Sequence, residues 1–449
     1  MRIHLIAVGG AVMHNLALAL KDNHHTVSGS DDEIYDPARS RLAAAGLLPD
    51  TMGWDADRIT ADIDLVILGM HARIDNPELL KAQELGLLIQ SFPEFIFSHS
   101  KNKKRVAICG SHGKTTTTAM VMHVLRHYKR DFDYLVGAQL EGFGNMVHLS
   151  DAPLIIIEGD EYLSSALDRN PKFLHYRSHL TVLTGIAWDH INVFPTEANY
   201  IHQFERLLRT LPAAGHLIFD RTDPVVMDLQ RRAPTHLQVQ PYEALHVDAD
   251  RRITVAGHTY RLAVFGRHNY KNMAAARLVC SELGIDDARF FEAIQTFSGA
   301  AKRLDLLYED GERTIWKDFA HAPSKVRATT AAVKASHPGR TLTAVLELHT
   351  FSSLNKAFLP QYAGALDGAD RAYVYYSPHT LAMKKLPPLD ASAVQRAFAR
   401  ADVQVVTDSA ELASAVSGEP QNLLLMSSGR FDGFDWLAEL QRKTGRPSM

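Results

Sequence analysis

Residues 106–120 read VAICGSHGKTTTTAM. A short apolar run, Val106 to Cys109, meets a glycine, then Ser111, His112 and a second glycine, then Lys114 and four threonines. The general phosphate-loop pattern asks for two glycines five apart before Lys-Ser/Thr, and Ile108 stands where the first should be. The compact form Gly110-Ser111-His112-Gly113-Lys114-Thr115 keeps the physics of that loop. Its glycines let backbone N–H groups wrap phosphate oxygens, and a helix beginning near Lys114 turns its positive dipole end toward the same anion. Lys114 adds a point charge, and the Thr115 hydroxyl suits Mg²⁺. The competing reading is a glycine-rich corner between a strand and a helix.

The chain around this loop has 449 residues, which implies two to four domains. Its 46% apolar content can fill those cores, and a formal charge of −3 gives no electrostatic case for nucleic acid or an anionic membrane. Two cysteines, Cys109 and Cys280, lie far apart in apolar segments and fit a reducing compartment. No run approaches the roughly 20 apolar residues of a membrane span. A cytoplasmic protein, monomer or homodimer, is expected.

Strand-like runs alternate with helical segments along most of the chain, which implies parallel sheets in an α/β protein. IHLIAV (3–8) runs into Gly9-Gly10 and an amphipathic helix from Met13 to Leu20. TVSGSDD (26–32), DLVILGM (64–70) and LLIQS (87–91) read as further strands. The basic run SHSKNKKR (98–105) reads as a linker. LIIIE (154–158) and LTVLTG (180–185) read as buried strands of a second unit, and HLQVQ, RRITVAG and TYRLAVFG (236–266) as an antiparallel patch. A helix follows from Asn272 to about Leu283, then a second linker near FSGAAKR (297–303). The third unit alternates again through RTIWKDF, TLTAVLEL, RAYVYY, VQVVT and NLLLMSS. Three domains result: 1–100, 101–297 and 298–449.

Four other stretches carry candidate chemistry. IIIEGDEYLSS (155–165) ends a buried strand on Glu158, Asp160 and Glu161, and carboxylates there are costly unless solvated or matched to a cation. TGIAWDHINVF (184–194) places Asp189 and His190 after another strand. FGRHNYKNMAAA (265–276) sets His268, Asn269 and Asn272 ahead of a helix, where asparagine caps are common. WKDFAHAPSKV (316–326) puts Asp318 and His321 at the carboxyl end of a strand, where open α/β sheets bind ligands.

In this order, the glycine turn, GSHGKTTTT, EGDEY, DH, GRHNYKN, KR and DFAHAP together resemble the Mur ligase family of peptidoglycan synthesis, over essentially the whole chain. The resemblance implies three domains: an N-terminal Rossmann-like domain binding a UDP-sugar, a central P-loop ATPase domain with a mostly parallel sheet, and a C-terminal Rossmann-like domain binding the acceptor. It also implies an ADP-forming ligase that uses ATP and Mg²⁺. EGDEY with LDRNPKFLHY, WDHINVF and LMSSGRFDG look most like the murein peptide ligase branch. That branch joins UDP-N-acetylmuramate to the tripeptide L-Ala-γ-D-Glu-meso-diaminopimelate in peptidoglycan recycling. The alternative within the family is the UDP-N-acetylmuramate–L-alanine ligase of de novo synthesis.

Carried over by position, the resemblance gives ATP contacts to Gly110, Ser111, His112, Gly113, Lys114, Thr115, Thr116, His268, Asn269, Arg303, Asp318 and His321. Thr115, Glu158 and His190 would serve the metal, and Lys114, Glu158, His190 and Arg303 catalysis. Gly9, Gly10, Ala11, Asp31, Asp32 and His71 would face the UDP-sugar, and His349, Ser428 and Arg430 the acceptor. Four positions depart from the family's habit: Gly185 where many members have Asn, Lys302 beside Arg303 where an arginine pair is usual, Ala322 for a second histidine, and Thr350 where arginine is common. Outside the family, a phosphotransferase or plain ATPase would share the loop, and a UDP-sugar sensor would have lost Lys114, Thr115, Glu158 or His190.

Overall fold

The apolar run Val106–Cys109 is the inner part of the strand Lys104–Cys109, and the helix Lys114–His127 follows it at once. The strand lies between Leu180–Leu183 and Leu154–Gly159, parallel to both, with Cys109 opposite Leu183 on one side and Gly159 on the other. Three segments therefore leave the sheet side by side at the carboxyl ends of its strands: the phosphate loop, the acidic run after Glu158, and Thr184-Gly185. This follows from sequence, because all three strands are apolar on both faces, as central parallel strands must be.

The computed structural model describes residues 1–300, 303–416, 422–434, 436 and 439. It contains three large sheets. The first orders its four parallel strands Thr26–Ser30, Arg2–Ile6, Leu65–Leu68 and Ile89–Ser91. The second has seven strands, ordered Gln238–Tyr242, His216–Asp220, Leu180–Leu183, Lys104–Cys109, Leu154–Gly159, Asp133–Leu135 and Val147–His148; only the last pair is antiparallel. The third has six: Asp305–Glu309, Thr314–Asp318, Asn422–Met426, Leu342–Glu347, Arg371–Tyr375 and Gln404–Val406, with only the first pair antiparallel. The α/β class with mostly parallel sheets is as expected.

The chain forms two compact units. One comprises Met1–Ile186, Ile201–Glu243 and Met273–Ile294 and holds the first two sheets. The other comprises Ala187–Tyr200, Ala244–Asn272 and Gln295–Met449 and holds the third. In the second unit, Trp188, Ile191 and Phe265 pack against the core under the third sheet, which includes Trp316, Leu346 and Phe358.

Several local expectations change. The run 98–105 is no solvated linker: Ser100, Lys103 and Arg105 are buried. Arg105 donates to the carbonyls of Ser100, Lys101 and Tyr176, and Lys103 pairs with the buried Asp133 at 2.7 Å. The basic charge satisfies carbonyls and a carboxylate at the seam between the first two sheets. HLQVQ does not join an antiparallel patch. It forms the parallel edge strand Gln238–Tyr242 of the second sheet, and the patch is a hairpin of Arg252–Val255 with His258–Arg261. The helix expected from Asn272 begins earlier, at Arg267, because Asn269 donates to the Phe265 carbonyl instead of capping a later start. Lys302 lies outside the described residues.

Candidate active site

The phosphate loop is built by close approach. Gly110 has φ +128° and a Cβ there would stand 2.3 Å from Thr184 Oγ1 and 2.8 Å from the Gly185 carbonyl, so only glycine fits. Gly113 has φ +82° and caps the helix without a side-chain bond. From the neighbouring strand end, Thr184 Oγ1 donates to the Cys109 carbonyl at 3.0 Å and to the His112 carbonyl at 2.5 Å, and Ser111 N donates to Gly185 O at 2.8 Å. Two strand ends thus hold the loop open at the helix N-terminus, next to Thr116. The departure at Gly185 has a steric cause: its φ is +142°, and a Cβ would lie 2.6 Å from His112 Nε2.

Each carboxylate of the acidic run has its own partner. Glu158 Oε1 accepts from Thr115 Oγ1 at 2.7 Å and its Oε2 from Gly137 N at 2.9 Å. Asp160 pairs with Lys172 at 2.6 Å. Glu161, fully buried, accepts from Lys114 Nζ at 2.6 Å, and Lys114 also donates to the Gly110 carbonyl at 2.6 Å. Burial works against the Lys114 charge, but Glu161, Asp160 and Glu158 outweigh it and raise its pKa, so the ammonium is locked on. Glu161, Thr184 and Lys172 were missed as site residues. The signal for Glu161 was its position: a second carboxylate past a buried strand needs a cation, and Lys114 was the one at hand.

Thr115 and Glu158 fit a hard divalent cation. A hydroxyl and a carboxylate 2.7 Å apart at a phosphate loop are oxygen donors of the kind Mg²⁺ takes together with phosphate oxygens.

In the first sheet, the strand Arg2–Ile6 passes through Ala7, Val8 and the Gly9-Gly10 turn into the helix Ala11–Asp22. Gly9 N donates to Asp31 Oδ2 at 2.7 Å, and a Cβ on Gly9 would stand 2.9 Å from the same oxygen. Burial, then a hydrogen bond with Asp32, pushes Asp31 up to about 6. His71 is exposed in the turn after Leu65–Leu68. The structure brings Gly9, Gly10, Ala11, Asp31 and Asp32 together and leaves His71 exposed to solvent beyond the strand end.

The second unit holds the remaining candidates. Asp189 is buried and accepts from His190 N at 2.7 Å; His190 itself has φ +57°. Burial works to raise the Asp189 pKa, but His190, Lys325 and His321 hold it below the usual range. His321 is buried, with Nδ1 donating to the Phe319 carbonyl at 2.8 Å; burial, then Lys325, pushes its pKa down to about 4. Asp318 accepts from Leu304 N at 2.7 Å and from Ala320 N, and burial raises its pKa while Arg303 opposes. The Arg303 guanidinium lies 4.7 Å from the Phe319 ring centre. His268 has a buried Nδ1 with no hydrogen-bond partner, and burial pushes its pKa down to about 4.

The acceptor candidates gather at two neighbouring strand ends. The buried Glu347, at the end of Leu342–Glu347, accepts from Phe431 N at 3.0 Å and from Ser427 Oγ. Its Oε1 lies 3.6 Å from His349 Nδ1. His349 Nδ1 and Ser428 Oγ are buried without hydrogen-bond partners, and Arg430 is exposed. Glu347 was missed, and it organises the loop that presents Ser428 and Arg430. Thr350 is spent on a tight turn, with its N and Oγ1 donating to Ser353 Oγ. Ala322 caps the helix Pro323–Ser336 without a side-chain bond.

Residues 2–104 match the Mur ligase family, catalytic domain, and residues 108–280 the Mur ligase middle domain. The chain is 30% identical to the UDP-N-acetylmuramate–L-alanine ligase of Roseiflexus sp. (strain RS-1), over 97% of both chains. It is 27% identical to the UDP-N-acetylmuramate–L-alanyl-γ-D-glutamyl-meso-2,6-diaminoheptandioate ligase of Escherichia coli (strain K12), over 96% of both. The crystal structure of a murein peptide ligase from Psychrobacter arcticus shares the fold across 100% of each chain, with a TM-score of 0.67 at 22% identity. A phosphate loop matched to three anchored carboxylates, within a chain alike from end to end, places this protein in the Mur ligase family of ATP-dependent, ADP-forming peptidoglycan ligases.

Proposed function

We propose that the protein joins UDP-N-acetylmuramate to the tripeptide L-Ala-γ-D-Glu-meso-diaminopimelate, in the cytoplasm, during peptidoglycan recycling. One observation carries the acceptor assignment: His349 Nδ1 and Ser428 Oγ, neither of them hydrogen-bonded, lie with exposed Arg430 around the strand ends at Glu347. A tripeptide brings several carboxylates and uses such donors; free alanine brings one. The L-alanine ligase is the second reading, favoured by 30% identity to an enzyme of that name.

On this reading residues 1–100 bind the UDP-sugar, 101–297 the ATP and 298–449 the acceptor. A carboxylate does not condense with an amine at useful rate, because oxide is a poor leaving group. The lactoyl carboxylate of the muramate attacks the γ-phosphorus of ATP, giving an acyl phosphate and ADP. The acceptor amine then attacks that carbonyl and phosphate departs. Catalysis is positioning and charge neutralisation. The loop N–H groups and Lys114 hold the phosphates, His268, Asn269, Asp318 and His321 serve the nucleotide, and Arg303 approaches the γ-phosphate. Thr115, Glu158 and His190 would hold Mg²⁺, which would supply positive charge for the phosphoryl oxygens.

The deciding experiment is mass spectrometry of products from ATP, UDP-N-acetylmuramate and either L-alanine or the tripeptide, with phosphorus NMR of the nucleotide. The expected result is a muramoyl tripeptide with ADP and phosphate. Better use of free L-alanine would establish the second reading, and AMP growing with product would overturn the acyl-phosphate route.

A further inference from the structure

Outside the site, one cluster has ligand chemistry that no part of the ligation uses. Glu94, from the helix Phe92–His99 beside the first sheet, meets Asp168 and His175, from the loop that follows the acidic strand end. One donor atom from each lies within 4.8 Å of the other two. All three side chains are half-buried.

The contact between Asp168 and His175 does not behave as a hydrogen bond. His175 Nε2 is 2.8 Å from Asp168 Oδ2, yet the atom is buried and has no hydrogen-bond partner. The pair is an ion-pair contact whose oxygen lies out of line for a hydrogen bond, an arrangement open to two ligands of one ion. Metal–ligand bonds of about 2.0–2.2 Å set neighbouring donors of one ion roughly 3 to 3.6 Å apart, from octahedral to tetrahedral geometry. The local framework is fixed. Asp168 Oδ1 accepts from Asn170 N at 2.9 Å, leaving Oδ2 to face the imidazole. Ser91 N and Oγ both donate to Glu94 Oε2 at 2.7 Å, which fixes the carboxylate at the helix start. Lys172, the nearest lysine in the loop, is engaged with Asp160.

We propose that Glu94, Asp168 and His175 form a divalent transition-metal site, separate from the Thr115–Glu158 pair, that clamps the loop 160–176 to the helix Phe92–His99. Two carboxylates with one imidazole suit Zn²⁺ or Mn²⁺ and disfavour Mg²⁺, which takes oxygen donors. The ion is structural in this position. The loop it fastens carries Lys172, the partner of Asp160, so its ordering extends to the acidic strand end.

The test titrates chelator-stripped full-length protein with Zn²⁺, and separately Mn²⁺, without nucleotide, by calorimetry and thermal melting. One ion per chain is expected, with a melting temperature that rises with free metal. Glu94→Gln, Asp168→Asn and His175→Gln should each weaken that site at least about tenfold, while Glu158→Gln leaves it intact. Zinc-edge X-ray absorption should report one imidazole with oxygen ligands. Circular dichroism of the stripped variants identifies any that fail to fold, and those are set aside in favour of the remaining ones. Absence of binding overturns the proposal. So does binding of wild-type strength in all folded variants, which would mark an adventitious ion, or an absorption spectrum of several imidazoles.

Discussion

Lys114 Nζ sits 2.6 Å from Glu161 Oε2, so the lysine of the phosphate loop is also half of a buried ion pair. Breaking such a pair by removing one partner costs roughly 3–5 kcal/mol, because the other charge is left buried alone. Lys114→Ala should therefore abolish ligation and destabilise the fold by about that amount. Lys114→Ala with Glu161→Gln should recover most of the stability and none of the activity. Urea unfolding beside ADP release separates the two effects, and near-normal turnover in either variant would remove Lys114 from catalysis. UDP-sugar affinity, measured by calorimetry, should change little in the double variant.

Gly185→Ala is expected to be harmful although the change is one methyl. The backbone there is at φ +142°, and the new Cβ meets His112 Nε2 at 2.6 Å. Strain of this kind costs about 1–3 kcal/mol, and it falls on the carbonyl that Ser111 N uses. Thermal melting and ATP titration should both show a loss; an unchanged ATP affinity would mean the loop tolerates the shift.

Protonation should weaken the second unit in mild acid. His268 is held near 4 by burial, against an ordinary 6.5. The unfolded chain then binds the proton more readily than the folded one between those values. Stability is full above about 6.5 and falls as pH drops toward 4. His321 is shifted the same way, by burial first and Lys325 second. Denaturation measured from pH 7 to pH 4 should show a shallower slope for His268→Asn than for wild type, and equal slopes would contradict the assignment.

These histidines also show what the chain discloses before it is folded. The P-loop, the alternation of strands and helices that makes the sheets parallel, and the strand-end positions of Asp318 and His321 were legible, because local patterns dictate them. Pairings across long separations were not. Nothing local links Glu347 to Phe431 or Lys103 to Asp133, since each pair meets only when a sheet assembles. The hairpin misassignment of HLQVQ has the same origin. An edge strand in a parallel sheet alternates like one in a hairpin, and only the His216–Asp220 neighbour decides between them.

Arg303→Ala should lower kcat by on the order of a hundredfold and alter ATP affinity far less. The guanidinium stacks on Phe319 and its charge opposes the raised pKa of Asp318; in the proposed mechanism its contact to the γ-phosphate belongs to the transition state. Pre-steady-state ADP formation with separate ATP binding tests this. Weakened binding at unchanged kcat would assign Arg303 to ground-state affinity instead.

Arg430→Ala should reduce kcat/KM for the tripeptide about thirtyfold, the equivalent of about 2 kcal/mol for one charge-assisted contact to a carboxylate. Free L-alanine should be used poorly by both forms. A variant with unaltered tripeptide preference would release Arg430 from the acceptor site and leave His349 and Ser428 as the remaining donors.

The buried seam at Ser100–Arg105 bears on how this enzyme can be taken apart. Arg105 serves carbonyls on both sides of the junction, including those of Ser100 and Tyr176, so a gene fragment cut at residue 100 would strip the guanidinium of part of its shell. It would also separate His99 from Asp133, which it meets at 2.9 Å. A nucleotide-sugar module excised there, or exchanged with a relative's, carries mismatched polar ends into a region with little water to soothe them. Chimeras joined after the strand Lys104–Cys109 keep His99, Lys103 and Arg105 together, and need only Asp133 and the Tyr176 carbonyl in the receiving half.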